Sequence, residues 1–115
     1  MKRKLDYKVE PSPKVIKYLK KLKFNNLKRK FIDVIYIEIS KNPIDIKNPS
    51  IERLNHLIWV KKFRFNKTSY RIAYSVINHK ILPIILAGSH ENFYSNLFKY
   101  LKSSAWIQKL FIDLN

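Results

Sequence analysis

Two stretches of this sequence place cationic side chains at strand spacing. In KKFRF, Lys62 and Arg64 point to one side while Phe63 and Phe65 point to the other. In SYRIAYSVI, Tyr70, Ile72, Tyr74 and Val76 form the apolar set, and Arg71 shares the opposite side with Ala73 and Ser75. If the two stretches pair as a hairpin, Lys62, Arg64 and Arg71 stand on one open face, and the small residues beside Arg71 leave room above it. Taken alone, such a face is what the solvated side of any lysine-rich sheet looks like. The stretch ILAGSHENFY changes the weighting. Its apolar run stops at Gly88, the one glycine in the chain, and His90 and Tyr94 follow directly. A strand ending there brings both to the end of the same sheet, with Gly88 as the hinge. The helix start beside it favours anions.

Three cations, a histidine and a tyrosine suit metal-independent RNA cleavage. In that reaction a ribose 2′-OH attacks the neighbouring phosphate, negative charge builds on the phosphoryl oxygens, and the 5′-oxygen leaves with a proton. Cations stabilise the developing charge. An imidazole, with an ordinary pKa of about 6.5, can take or give a proton at neutral pH, and a phenol can hydrogen-bond or stack on a splayed base. Other chemistries find no support. There is no cysteine, hence no disulfide, thiolate metal site or cysteine nucleophile. The 8 acids are scattered without metal-ligand spacing. One glycine can form neither a P-loop nor a dinucleotide turn. No cofactor or metal is expected, and His56, in LNHL, and His79, in a turn, receive no role.

The elements that must position these residues follow from periodicity. Residues 5–9 alternate as a short strand. Ser12 caps a helix with Pro13 at its first position, and Val15, Leu19 and Leu22 form its apolar face. Residues 26–40 read as a second helix forming a hairpin with the first, although Ile35, Ile37 and Ile39 alternate like a strand. KNPIDIKNPS is a loop, and Ser50 caps a short helical turn through Leu57. IWVKKFRF, SYRIAYSVI and KILPIILA form an antiparallel meander, with Pro83 marking a bulge or an edge. Ser89 caps a helix from about His90 to Lys102 with Phe93, Leu97 and Leu101 inward, and a last amphipathic piece buries Trp106, Leu110 and Phe111. The order β-α-α-β-β-β-α defines an α+β domain with the helical hairpin on one face of the sheet. The 115 residues read as one domain with a basic arm at 1–4 and an extension at 103–115.

Charge narrows the partner. There are 24 Lys+Arg against 8 Asp+Glu, a net charge of +16. Abundant lysine, isoleucine and asparagine match translation of an AT-rich gene, but that bias does not explain why acids are so few. A nucleic acid or an acidic protein is the expected partner. No apolar run nears the roughly 20 residues of a membrane span, and the basic N-terminus lacks an apolar segment after it. An intracellular, cytoplasmic protein is expected.

The element order, and especially KKFRFNKTSYRIAYSVINHKILPIILAGSHENFY, resembles the RelE/ParE superfamily of type II toxin–antitoxin toxins over residues 5–101. The resemblance to RelE-type members implies an endonuclease that cuts mRNA on the ribosome and so inhibits translation. By position, Lys62 and Arg64 match the two cations of the first meander strand, and Arg71 matches an arginine that contacts the scissile phosphate. His90 falls where many members carry an arginine and others a histidine acting as general acid. Tyr94 matches a C-terminal tyrosine. Arg64 stands where lysine is common, and a guanidinium is a poor base, so Lys62 is the better proton acceptor. The resemblance also implies a cognate antitoxin, expected to bring an acidic amphipathic segment to the helices and sheet. Alternatives within the fold are a ParE-like inhibitor of DNA gyrase without nuclease chemistry, and an inactive RNA- or ribosome-binding domain.

Overall fold

The computed structural model describes residues 7–77 and 81–112, the last two by backbone alone. Its elements are β1 (Lys8–Pro11), α1 (Pro13–Lys21), α2 (Asn25–Asp33) running on into a π-helical segment (Val34–Ile39), β2 (Ile51–Arg53), β3 (Trp59–Phe65), β4 (Thr68–Tyr74), β5 (Ile81–Ser89), α3 (Phe93–Ser103) and α4 (Ala105–Ile112). The sheet order is β1-β5-β4-β3-β2, with β1 parallel to β5 and every other pair antiparallel. The α+β class and the helical hairpin hold. The sheet is mixed and has one strand more than expected.

Ser12 explains how the first helix meets the sheet. Its Oγ accepts from the Val15 N–H (3.1 Å) and donates to the Ile85 carbonyl (2.8 Å), while its own N–H donates to the Ile84 carbonyl (2.8 Å). One buried serine therefore caps α1 and ties it to the middle of β5. Pro83 lies on that same central strand, not on an edge. The lost donor is tolerated where the β4–β5 register shifts between Ala73 and Tyr74, opposite Leu86 and Ile84. The expected bulge is thus present.

The run of β-branched residues after Asp33 takes neither of the simple forms its pattern offered. It continues α2 as a π-turn that buries Val34, Ile35 and Ile39 together. With Val15, Leu27, Phe31, Ile72, Tyr74 and Leu82 these form the first core, on one side of the sheet. The second core lies on the other side: Ile58, Val60, Ala73, Ile85 and Leu86 against Phe93 and Leu97 of α3 and Ile107 of α4. The sheet is therefore the middle of three layers. The face expected to be open is covered over most of its area.

Three further expectations are corrected. Residues 51–53 form β2, not a helical turn, because Asn48 and Asn55 make side-chain turns on either side and leave only a short extended segment between them. Helix α3 begins at Phe93, and Ser89 belongs to β5 and caps nothing. Gly88 is not the hinge: it lies inside β5 without positive φ, and the left-handed residue at the corner is Asn92 (φ 58°). In the tail, Ile107 is the fully buried residue while Trp106 is partly buried. The side chain of Phe111, residues 1–6 and the expected turn at His79 lie outside the described residues. Among the described residues, no helix is long and apolar enough to cross a membrane.

Candidate functional site

The strand register decides which side chains meet. Lys62 pairs with Arg71, Arg64 with Ser69, and Arg71 with Gly88. Directly paired residues point to the same face, with Cβ atoms about 5 Å apart. Val60 and Ala73, which share the alternation of Lys62 and Arg71, belong to the α3 core. The three cations therefore share a face, as their spacing predicts, beyond the area that α3 and α4 cover. The hairpin joining their strands turns through Asn66 and Lys67, both with positive φ (48° and 69°), a two-residue turn that matches strand twist.

Across this face run two rows. The inner row is Lys62, Arg71 and Gly88. The outer row is Arg64, Ser69 and His90, since the His90 N–H donates to the Ser69 carbonyl (2.8 Å) and extends the ladder by one residue. The His90 Nδ1 also lies 3.3 Å from that carbonyl. A carbonyl only accepts, so the tautomer that makes this bond carries the proton on Nδ1 and leaves Nε2 as the free nitrogen of an exposed ring. Arg64 is exposed, and its Nη2 leans toward the Lys67 carbonyl at 3.5 Å.

The inner row is closed by two residues from other elements. Glu52, opposite Val60 and so on the same face, forms an ion pair with Lys62 (Nζ–Oε2 3.2 Å). The Tyr94 hydroxyl, from the first turn of α3, donates to the same Oε2 (3.3 Å). Its ring also lies over the Arg71 guanidinium, 5.6 Å from Cζ to the centroid. Arg71 is half-buried, yet its Nε and Nη1 are out of solvent without a hydrogen-bond partner. Among the described residues it makes no ion pair.

The structure thus brings together Lys62, Arg64, Arg71, His90 and Tyr94, and adds Glu52. That glutamate was missed because it sat in a segment read as a helical turn. The usable signal was the Asn-bracketed length of the segment, too short for a helix. The Lys62 amine, the expected proton acceptor, is engaged by the Glu52 carboxylate in this ion pair. A separate ion pair supports β2 from the other face. Lys61, buried, joins Glu38 of the π-turn (3.3 Å) and the Ser50 Oγ (2.6 Å), holding the start of β2 against the first core. Among the described residues no group of three metal-ligating side chains gathers.

The sequence model of a family described as the ParE-like toxin of type II bacterial toxin–antitoxin systems matches residues 9–98. The chain belongs to that family. A search of curated proteins gives no match. The matched span runs from β1 into α3, takes in all six residues of the cluster, and stops short of α4. The expected place in the RelE/ParE superfamily is met. A toxin of a type II system has a cognate antitoxin as its partner.

Proposed function

We propose that this ParE-like toxin is an mRNA endonuclease acting on the ribosome, cutting by attack of a ribose 2′-OH on the adjacent phosphate. The observation that carries the reading is Arg71: a half-buried guanidinium with Nε and Nη1 unpartnered, flanked by Lys62, Arg64, His90 and Tyr94. A buried donor without a partner costs about 1–3 kcal/mol. A phosphoryl group seated on Arg71 removes that cost, and does so most fully when charge builds on its oxygens.

Each step then has a residue. The Glu52 carboxylate accepts the 2′-OH proton, oriented by Lys62 and by the Tyr94 hydroxyl. The 2′-oxygen bonds to phosphorus, and the bond from phosphorus to the 5′-oxygen breaks. His90, through Nε2 and in its protonated form, gives the leaving oxygen its proton. The products are a 2′,3′-cyclic phosphate and a 5′-hydroxyl. Arg64 adds positive charge at the outer row, where the chain continues past the scissile phosphate. The ribosome requirement is supported by the resemblance to RelE-type members.

The test is translation in a cell-free extract with the message mapped by primer extension. Ribosome-dependent cuts that vanish in Arg71→Ala and His90→Ala support the reading. They should also weaken steeply with added salt, as phosphate binding does. An intact message with blocked DNA supercoiling would assign the toxin to gyrase inhibition instead. An intact message with ribosome binding and active gyrase would leave an inactive binding domain.

A further inference from the structure

We propose that the cleft at the tip of the β3–β4 hairpin is a nucleobase subsite, which takes a base of single-stranded RNA downstream of the cut. The hairpin carries two different faces to its tip. Arg64 and Ser69 belong to the outer row on one face, while Phe65 and Tyr70, on the opposite alternation, pack against the first core. Together with the start of α2, Phe65 and Tyr70 enclose a cleft of about 440 Å³. Phe24, Asn25 and Asn26 line its α2 side, with Lys23 and Asn66 at its ends. Among the described residues, no acid lines it.

These walls suit a flat, polar-edged ring. Tyr70 is held in place, stacked on Phe63 with centroids 5.5 Å apart and meeting the edge of Phe31 at 5.4 Å. Phe24 is 72% exposed, and it stands at the N-cap of α2 without making a side-chain cap. A phenyl ring left in water gains little from folding, and a base stacked on it buries that unused apolar surface. The asparagines divide in the same sense. Asn42, Asn48 and Asn55 commit their side chains to their own turns. Among the described residues, the side-chain amides of Asn25, Asn26 and Asn66 make no hydrogen bond. An amide offers a donor and an acceptor side by side, which is the pattern on the base edges that unpaired RNA exposes.

Charge and position select the occupant. Arg64 leans with its Nη2 toward the Lys67 carbonyl at the tip (3.5 Å), and Lys67 and Lys23 are both exposed. A positive rim therefore runs from the outer row over the turn to the cleft. Thr68 lies three residues before Arg71 on β4, roughly 10 Å along the strand. A strand with its scissile phosphate on Arg71 and its leaving oxygen at His90 continues over this rim. A second copy would set Lys23, Arg64 and Lys67 against their own kind. An acidic peptide would satisfy the charge but leave the aromatic walls and the unengaged amides unmatched. A nucleotide matches all three. The subsite rests on the nuclease reading for the path of the strand, and on its own walls for the base.

The probe is a fully 2′-O-methylated adenylate hexamer, which lacks the attacking hydroxyl and so reports binding without cleavage. Titrated into the full chain and followed by NMR, it should shift the Phe24 ring and the Asn25 and Asn26 side-chain amides. An abasic strand of the same charge should leave those signals in place and bind about tenfold or more weakly. Phe24→Ala should weaken hexamer binding by about fivefold to a hundredfold, the usual loss when a stacking ring is removed, and Phe24→Trp should keep it. Equal binding by the abasic strand, full binding by Phe24→Ala, or the same shifts with polyglutamate would each overturn the proposal. The result is separable from cleavage. A message left intact beside these shifts keeps the subsite and strikes the nuclease; cleavage with an unshifted Phe24 keeps the nuclease and strikes the subsite.

Discussion

Replacing Arg71 by methionine separates a guanidinium kept for a ligand from one kept for the fold. In the free protein Nε and Nη1 are buried without partners. Deleting them removes a penalty of about 1–3 kcal/mol. The same change removes the contact with the Tyr94 ring, worth about 0.5–2 kcal/mol depending on its desolvation. Methionine retains most of the apolar stem and its packing. The balance runs from a loss of about 1 kcal/mol to a gain of about 2.5 kcal/mol in stability. With a urea slope of about 1–3 kcal/mol/M, the unfolding midpoint should fall by no more than roughly 1 M and can rise by up to roughly 2.5 M. Cleavage should fall by about a hundredfold to a thousandfold or more, the usual loss when a donor to transition-state charge is removed. The paired measurement is urea unfolding alongside message cleavage. If Arg71→Met lowers stability by more than about 1 kcal/mol, Arg71 is a strut of the fold and the argument for a phosphate there fails.

Glu52→Gln should separate chemistry from stability in the same way. The Coulomb energy of its pair with Lys62 at 3.2 Å is about 1–5 kcal/mol before screening. With both side chains more than a third exposed, the loss in unfolding free energy should stay within about 1 kcal/mol, while cleavage falls about 10²–10⁴-fold; undiminished cleavage would remove Glu52 as proton acceptor. Ser12→Ala loses the α1 cap and strands the Ile85 carbonyl, so calorimetry or urea unfolding should show a loss of about 2–4 kcal/mol, and a loss no larger than that of an exposed serine would contradict the double role. Burial pushes the Tyr74 phenol well above its ordinary value, and its hydroxyl donates to the Pro43 carbonyl at 2.6 Å. A pKa raised by folding gives stability that is present below the unfolded value of about 10 and is lost as pH rises above it. Tyrosinate absorbance should therefore show a late component that appears only with alkaline unfolding and is absent in Tyr74→Phe; the same late component in the variant would refute it.

Much of this architecture was legible because each element states its own period. Strands β3 and β4 alternate without interruption, so the shared face of Lys62, Arg64 and Arg71 followed from counting. Ser12 and Pro13 announce α1. What could not be read depended on contacts between distant segments. Glu52 acquires its place only when β2 docks beside β3, and nothing within ERLNH marks it as a strand. Helix α3 covers the sheet face because Phe93 and Leu97 meet Ile85 and Leu86, a pairing that periodicity does not supply. The π-turn is a compromise between helical continuation and the burial of three β-branched side chains at once. Local pattern offered helix or strand there, and packing chose neither.

The β5 bulge is the piece that makes the cluster possible. Before it, Ile84 faces the first core; after it, Ile85 and Leu86 both face α3, and Ala87 returns to the first core. The extra residue shifts the β4–β5 register by one. Without it, the register at Tyr74 and Ile84 would carry on to place Ala87 opposite Arg71 and Ser89 opposite Ser69. A methyl group would then stand beside the guanidinium, and His90 would fall one place beyond the outer row. With the bulge, Gly88 stands beside Arg71 and His90 reaches Ser69. The space at Gly88 is open: a Cβ added there would meet only the Phe93 ring, at 4.0 Å. So the glycine is not required by backbone strain or crowding within the free protein. On the proposed reading its value is the clear floor next to Arg71, the place assigned to the phosphate. Pro83 serves the same end from two residues earlier, since a residue without an N–H favours the break in the ladder that sets this register.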